Sequence, residues 1–233
     1  MSTRELARKL DALEIIYSDS KPKRITQPFD YLLVLDFEAT CWSSTDSKKH
    51  PAEIIEFPVV LYDVKNDKII AEFQQYVMPV ENPKLSDFCT ELTGIQQKQV
   101  DNGVPLQTCL NQFSRWISEK MRLYDMGFPN DDNQRSKTCA FVTWSDWDLG
   151  TCLRKECNRK NIRIEKMFRK WIDIRALFKR FIRRPFVGLS GALAELGLTF
   201  EGTEHCGLHD ARNTARLVGK MVDKGVVLQL TRR

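Results

Sequence analysis

The sequence lacks any long run of apolar residues. Nowhere in its 233 residues is there a stretch approaching the ~20 consecutive apolar residues that span a membrane. Its first segment, MSTRELARKLDALEII, is rich in charge and lacks the apolar core of a secretory signal. We therefore expect an intracellular protein of the cytoplasm, the nucleus or both, with no membrane contact.

Paired cysteine motifs are also missing. The seven cysteines are scattered, odd in number and never spaced as C-x-x-C. This pattern argues against a disulfide framework and against a structural zinc site, and it is typical of reduced thiols inside cells. Histidine is scarce, with three residues, and His50 in a polar loop is expected to be solvated.

Positive charge is concentrated in one segment. The net charge of the whole chain is +5, yet residues 154–184 carry thirteen Lys and Arg against three acids. That segment therefore has a net charge of +10, which leaves −5 for the remainder. Such asymmetry indicates a polyanionic partner, of which nucleic acid is the first candidate. A run of charge is equally often no more than the solvated face of a helix.

The apolar pattern predicts an α/β domain with three layers. Residues 1–28 are predicted to be a helical arm and a proline-bounded linker, and residues 29–228 a single domain with no second domain evident. Strands come first and helices then alternate with strands, which favours a mixed sheet flanked by helices. Strands are predicted at 31–37, 53–63, 68–78, 138–144 and 171–174, and helices at 85–93, 106–124, 145–160, 175–183, 189–196 and 208–224. Residues 127–137, between a helix and a strand, are predicted to form a mobile loop.

Two acids interrupt the most apolar strand of the chain. In YLLVLDFEATCW, Asp36 and Glu38 end a run typical of a central strand buried on both faces. Residues two apart on a strand point to the same side, so these carboxylates lie next to each other. Two close acids beside an apolar wall resist ionisation unless a cation lies between them. Oxygen ligands of this kind suit hard divalent ions such as magnesium.

Further acids begin two later helices. Asp148 follows a buried strand in TWSDWDL, with Asp146 as an alternative two residues earlier. Asp210 opens the last helix in HCGLHD, where His205 precedes it by five residues and His209 is its neighbour. Each acid alone is more often a first-turn carboxylate favoured by the helix dipole than a ligand. His209 alone would be a surface or supporting histidine.

Together these motifs resemble the DEDDh 3′–5′ exonucleases, the RNase T and DnaQ-like family. The family pattern has D-x-E first, a lone Asp second and His-x4-Asp third, and all three occur here in that order. The flanking segments DFEATC, EIIEFPVVL and HCGLHD are similar to those of the histone-mRNA 3′ exonuclease (Eri) branch. The resemblance covers about residues 30–225 and selects Asp148 over Asp146, because this branch has W-D at that point.

The resemblance implies a fold, an activity and a set of site residues. It implies an RNase H-like three-layer fold and hydrolysis of RNA, with DNA as a second candidate, from the 3′ end to nucleoside 5′-monophosphates. Single-stranded 3′ ends, or stem-loops with short 3′ tails, are the expected substrates. Two divalent cations, Mg²⁺ or Mn²⁺, are expected, with His205 as general base. The implied metal ligands are Asp36, Glu38, Asp148 and Asp210.

Substrate contacts are predicted around the same motifs. Trp147 is the best candidate for stacking on a base, with a place in the core as its alternative. The backbone amides of Ala39 and Thr40 could meet the terminal nucleotide. Phe88 and Leu92, on a short helix, could form the opposite wall or belong to the core. Two other functions stay open: a catalytically silent nucleic-acid-binding relative and an RNase H-like endonuclease. The sequence does not identify a protein partner.

Overall fold

The computed structural model describes residues 24–43, 50–129, 135–183, 185 and 188–231. The predicted N-terminal helix and the middle of the predicted mobile loop lie outside these residues. Within them, no helix is long and apolar enough to cross a membrane. Residues 24–28 contain no helix or strand, and Arg24 pairs there with Asp67 and Asp223.

A mixed sheet organises the described part of the chain. Its central strand, β1, pairs antiparallel with β3 on one side and parallel with β6 on the other. β4 extends the sheet beyond β3, and β7 extends it beyond β6. The strands are β1 (Tyr31–Leu35), β2 (Glu38–Ala39), β3 (Ile54–Asp63), β4 (Lys68–Tyr76), β5 (Met126–Gly127), β6 (Lys137–Thr143) and β7 (Trp171–Asp173).

Helices cover both faces of this sheet. Alternate β1 residues point to opposite cores: Leu32 and Val34 lie in the core that includes α7 (Gly207–Asp223), and Leu33 and Leu35 in the core that includes α3 (Leu106–Leu123). The predicted three-layer α/β arrangement is therefore confirmed. The helices are α1 (Asp87–Thr93), α2 (Gln97–Asp101), α3 (Leu106–Leu123), α4 (Arg154–Arg159), α5 (Ile174–Ile182), α6 (Gly188–Glu195) and α7 (Gly207–Asp223).

The segment after β6 differs from the prediction. A single helix was expected from residue 145 to about 160, but Asp148–Leu153 is a π-helical turn that leads into α4. The wider turn matters because π-helical insertions re-aim side chains and occur often at functional sites. A short 3₁₀ turn, Lys166–Arg169, then leads into β7.

Two cations of the basic segment are used inside the fold. Lys160 lies between the fully buried carboxylates of Glu53 and Glu156, 2.8 and 2.5 Å from their oxygens. Glu53 also accepts hydrogen bonds from three backbone N–H groups at residues 80–82, and Arg159 pairs with Glu81. Removing one member of such a buried group would leave an uncompensated charge, so this cluster serves stability. The basic segment is therefore not uniformly a solvated or nucleic-acid-binding face.

Candidate active site

One cavity lies where β1 and β6 end and α7 begins. It encloses about 470 Å³, and the four predicted metal ligands and the predicted base all line it. These residues come from three distant parts of the chain. Parallel pairing of β1 with β6 brings the carboxyl ends of both strands to the same edge of the sheet. The lining residues singled out from the sequence are Asp36, Glu38, Ala39, Thr40, Leu92, Trp147, Asp148, His205 and Asp210.

The first acid pair owes its direction to the residue between its members. Phe37 is buried and packs on Phe57, with ring centroids 4.7 Å apart. Because neighbouring side chains on an extended chain point to opposite sides, Asp36 and Glu38 are turned toward the cavity. The backbone register shifts between Glu38 and Ala39 where β2 pairs with β3. Apolar packing on one side therefore presents the two carboxylates on the other.

Asp148 is tied directly to this strand end. Its Oδ1 accepts a hydrogen bond of 2.9 Å from the Phe37 N–H, and its side chain is buried, with the residue 3% exposed. One carboxylate oxygen is thus held next to the acid pair. Asp146, the alternative from the sequence, is not among the residues that line the cavity. Its carboxylate lies instead against Gly150, where an added Cβ would be 2.9 Å from Asp146 Oδ2.

Helix α7 reaches the same point through a glycine. A Cβ built on Gly207 would lie 2.5 Å from the backbone oxygen of Asp36, a distance that real Cβ atoms do not adopt. Glycine therefore lets the first turn of α7 touch the end of β1. That turn carries Asp210, whose carboxylate is also hydrogen-bonded by the His205 backbone.

A fifth buried carboxylate, Glu56, was not recognised from the sequence as part of the site. It lies on β3, opposite Glu38, and its Oε2 accepts a 3.0 Å hydrogen bond from the Gly207 N–H. Its Oε1 accepts one from Gln74, so both oxygens are held. An acid at a helix N-terminus is favoured by the unpaired N–H groups there. Glu56 therefore fastens α7 to the sheet, and its place within EIIEFPVVL was the available signal.

Burial and mutual repulsion disfavour the charged form of the whole cluster. Burial, followed by the charges of Asp148 and Asp210, raises the pKa of Asp36 well above its usual range. Burial, followed by Asp210 and Glu56, raises the pKa of Glu38 to about 9. Burial likewise raises the pKa of Asp148 and of Asp210 to about 7 each. Such a set of oxygen donors lacks positive charge and fits divalent cations.

Support for a cation site comes from the donor types and not from a preformed group of ligands. Among the residues that the structure describes, no three His, Cys, Asp or Glu side chains form a group that could hold a metal ion. The four carboxylates nevertheless line one cavity, and hard divalent cations prefer oxygen ligands of this kind.

We expect the stability of the metal-free protein to fall with rising pH. An acid with a raised pKa in the folded state holds its proton more tightly there than in the unfolded chain. The resulting loss of folding stability is absent below the pKa of the unfolded chain, about 4, and grows as the pH rises to the pKa of the folded state. Those values are about 7 for Asp148 and Asp210 and about 9 for Glu38.

Thermal unfolding in chelator and in saturating magnesium, at about pH 5, 7 and 9, measures this effect. Magnesium should raise the melting temperature most at the highest pH and least at the lowest. In the Asp210→Asn variant, magnesium should raise the melting temperature by less than it does in wild type. Equal stabilisation by magnesium at all three pH values would contradict the cluster as a cation site.

The two histidines near α7 have different surroundings. His205 is exposed, lines the cavity and has a φ of +61°, a left-handed conformation that costs a non-glycine residue about 1 kcal/mol. His209 lies outside the cavity lining, and its Nδ1 accepts a hydrogen bond from the Thr203 N–H at 3.0 Å. Its ring also packs against Gly202. His209 therefore holds the loop, whereas His205 lines the same cavity as the acids. His50, expected to be solvated, instead stacks on Trp42.

The predicted substrate contacts receive mixed support from the geometry. Trp147 is 41% exposed at the cavity, and Leu92 lines its other wall. Phe88 is 43% exposed on the same helix as Leu92, so it does not belong to the core, and it lies outside the cavity lining; its contact with substrate stays a prediction. The Thr40 N–H already donates to the Glu53 oxygen at 2.8 Å. Because that acceptor is the Glu53 backbone oxygen and Thr40 is only 3% exposed, the Thr40 amide is not available to a nucleotide.

The remaining wall was not predicted from the sequence. The start of α6 also lines the cavity, and Ser190 there donates to Glu204 at 2.6 Å. This contact joins α6 to the loop that carries His205. No motif marks these residues, because they are ordinary in type and are brought to the site only by packing. The other unpredicted lining residues are Phe37, Cys41, Thr93, Trp144, Ser145, Gly188 and Leu189.

Comparisons with known proteins agree with this geometry. The profile of the RNase_T family, described as an exonuclease, matches residues 33–218. The chain is 47% identical over 243 residues to "ERI1 exoribonuclease 2" of Xenopus laevis, covering 100% of this chain and 35% of that protein. It is 46% identical over 215 residues to "3′-5′ exonuclease Snipper" of Drosophila melanogaster, covering 91% of this chain and 76% of that protein. The chain thus spans about a third of the length of the ERI1 exoribonuclease 2 relatives it matches.

Solved structures give the same result. The nuclease domain of 3′hExo, described as a DEDDh family member bound to rAMP, aligns with a TM-score of 0.78 at 33% identity, covering 90% of this chain and 100% of that one. A 3′-exonuclease described as recognising the histone mRNA stem-loop aligns with a TM-score of 0.77 at 33% identity, covering 88% and 87%. The fold predicted from the motifs, RNase H-like with a mixed sheet, is confirmed by these neighbours.

Proposed function

Because the chain belongs to the RNase_T exonuclease family, among the DEDDh enzymes similar to ERI1 and Snipper, we propose that it is a 3′–5′ exoribonuclease. It would release nucleoside 5′-monophosphates from the 3′ end of RNA. The observation that carries the proposal is one cavity lined by all five residues of the family pattern: Asp36, Glu38, Asp148, His205 and Asp210. A similar fold would not by itself support the activity, since folds host many functions.

The four acids are proposed to hold two divalent cations, Mg²⁺ or Mn²⁺. When bound, such a pair supplies positive charge to the scissile phosphate and to the attacking and leaving oxygens. Asp36 would be one of the residues that hold the cations, because the charges of the other acids all act on its carboxylate. The Asp148 carboxylate is held in place by the Phe37 N–H, and its own backbone N–H also hydrogen-bonds it. Oxygen ligands suit magnesium and manganese alike, so the donor set does not choose between them.

His205 is proposed to accept the proton of the attacking water. His205 lines the same cavity as the acids from a solvent-exposed loop, and imidazole is the side chain that most often serves as a general base. Water adds to phosphorus, its proton passes to His205, and the bond to the leaving 3′ oxygen breaks. The leaving oxygen takes up a proton, which gives a nucleoside 5′-monophosphate and an RNA shorter by one nucleotide.

RNA is the proposed substrate because of the relatives' descriptions. ERI1 exoribonuclease 2 is named for RNA, and the 3′hExo domain is described as bound to rAMP. Here Trp147 and Leu92 would hold the terminal base between an aromatic ring and an apolar side chain. Single-stranded 3′ ends or stem-loops with short tails are proposed, with DNA as a second substrate to be tested.

A product ladder tests the proposal. RNA labelled at its 5′ end should shorten one nucleotide at a time in magnesium or manganese, and chelator should stop the reaction. The same RNA with a blocked 3′ end should resist. Internal cuts in the blocked RNA would instead indicate an endonuclease. Binding with no release of mononucleotides in either metal would indicate a catalytically silent relative. Parallel DNA and stem-loop substrates rank the substrate classes.

His205→Ala should slow RNA hydrolysis far more than His209→Ala does. Loss of a general base costs about 10²- to 10⁴-fold in rate. His209→Ala removes only the acceptor for the Thr203 N–H and the packing on Gly202, so its larger effect should be on stability. Single-turnover rates and melting temperatures of both variants separate these effects. The reverse ranking of rates would mean that His209 is the base.

A further inference from the structure

Three adjoining concave surfaces meet at Arg169. They enclose about 510, 240 and 440 Å³, and Arg169 lines all three. Lys166 and Met167 join the first to the second, and Ile164 joins the first to the third. We call this continuous region the Arg169 surface. Its basic residues are Arg154, Arg163, Lys166, Arg169 and Lys170.

The Arg169 surface carries unbalanced positive charge. Within the described part of the chain, none of its five cations forms a salt bridge or side-chain hydrogen bond with another described residue. Arg159 and Lys160, from the same basic segment, both do. The one acid lining the surface, Glu165, accepts a hydrogen bond from Ser114. Concave surfaces with charge of one sign focus their field, so this region attracts polyanions.

The Arg169 surface adjoins the acidic cavity across one helical turn. Trp147 and Asp148 line the acidic cavity, and the next two residues, Leu149 and Gly150, line the concavity that contains Arg154 and Arg169. The described residues that line the acidic cavity include no Lys or Arg, so its own side chains offer a phosphate chain no strong positive charge. Positive charge just outside that cavity would therefore raise the affinity for a polyanionic substrate.

We propose that the Arg169 surface binds backbone phosphates of the RNA strand upstream of its 3′ end. This inference rests on the proposed exonuclease function and extends it to a second, electrostatic part of the substrate site. The surface would hold the body of a long RNA while the terminal nucleotide occupies the acidic cavity. A substrate too short to reach the Arg169 surface would gain no affinity from it.

The test compares two charge reversals of equal size. Arg154→Glu combined with Arg169→Glu alters the Arg169 surface. Lys179→Glu combined with Arg180→Glu is the control. It changes the net charge by the same amount, at exposed positions of α5 that do not line the Arg169 surface. Substrates are a dinucleotide and a single-stranded RNA of about 20 nucleotides, longer than the ~4–16 that single-strand-binding modules cover. Anisotropy of a labelled RNA in chelator measures binding separately from cleavage.

The first double variant should lose about 10-fold or more in affinity and in kcat/KM on the long RNA, mostly through KM. The slope of log K against log salt should become shallower by about 1.4, since each phosphate contact to a single strand contributes about 0.7. Cleavage of the dinucleotide should be unchanged, and the control variant should behave as wild type.

Three results would overturn the proposal: unchanged binding of the long RNA, an equal loss in the control variant, or an equal loss on the dinucleotide. If wild-type protein cleaves neither substrate, the exonuclease function fails. The binding measurements still decide whether RNA occupies this surface.

Discussion

Asp36→Asn should reduce RNA hydrolysis by more than about 100-fold, beyond the range seen when only a residue supporting a metal ligand is lost. Asp36 is the acid on which the charges of Asp148, Asp210, Glu38 and Glu56 all act, so it lies at the centre of the cluster. Asparagine has a similar shape but removes one negative charge. The loss of activity should therefore come without loss of structure.

The same variant should be more stable than wild type when metal is absent. Removing one charge relieves repulsion among the remaining acids, and a gain of ~1 kcal/mol corresponds to about 2–4 °C in a domain of this size. The melting temperature in chelator, near pH 8, together with the single-turnover rate in magnesium, checks both expectations. Magnesium should stabilise the variant less than it stabilises wild type.

Asp146→Asn is the matched control, because Asp146 lies near the same end of the sheet but outside the cavity lining. It should retain nearly full activity. Full activity in Asp36→Asn, or equal losses in the two variants, would show that the acids of the cavity were assigned wrongly.

Gly207→Ala should lower activity by about 100-fold without touching an ionisable group. The new methyl would lie 2.5 Å from the Asp36 backbone oxygen and 2.9 Å from Pro58 Cγ, so α7 must move away from β1. Asp210 and His205 would move with it. A displacement of about 1 Å at a reacting centre is enough for a loss of this size. Rates on RNA and a crystal structure of the variant measure the activity and the shift.

Gly150→Ala is the comparison for this substitution. Its Cβ also meets close neighbours, but they are side-chain atoms of Asp146 and Trp171 rather than backbone. Side chains can give way where backbone cannot, so the loss of activity should be smaller. Gly207→Ala at wild-type rate, with α7 unmoved, would contradict the close contact that brings Asp210 to Asp36.

Several features could be predicted because their signals are local. The apolar run of β1 ends in Asp36 and Glu38, and side-chain alternation alone places both acids on one side. The order of the acids and His205 along the chain was sufficient to identify the family, which the comparisons confirm. The last helix was also predicted within a residue at each end, because its apolar face repeats regularly.

Other features depend on distant residues and left no local signal. Thr40 was predicted to offer its amide, but β2 pairs with the chain near Glu53 and uses that donor. The helix after β6 was predicted as a plain α-helix, and its π-helical turn is not visible in residue type. Phe88 was placed in the wall with Leu92, whereas only Leu92 lines the cavity.

The sequence by itself determined which acids and which histidine make up the family pattern, because each motif is only a few residues long. Tertiary structure decided which neighbours those groups have. Parallel pairing of β1 with β6 joins Asp148 to the first acid pair, and Gly207 allows α7 to deliver Asp210. Contacts between distant segments also separate the cations held by Glu53, Glu156 and Glu81 from those exposed around Arg169. The physical reason is that burial and charge pairing depend on packing, which has no fixed spacing in the sequence.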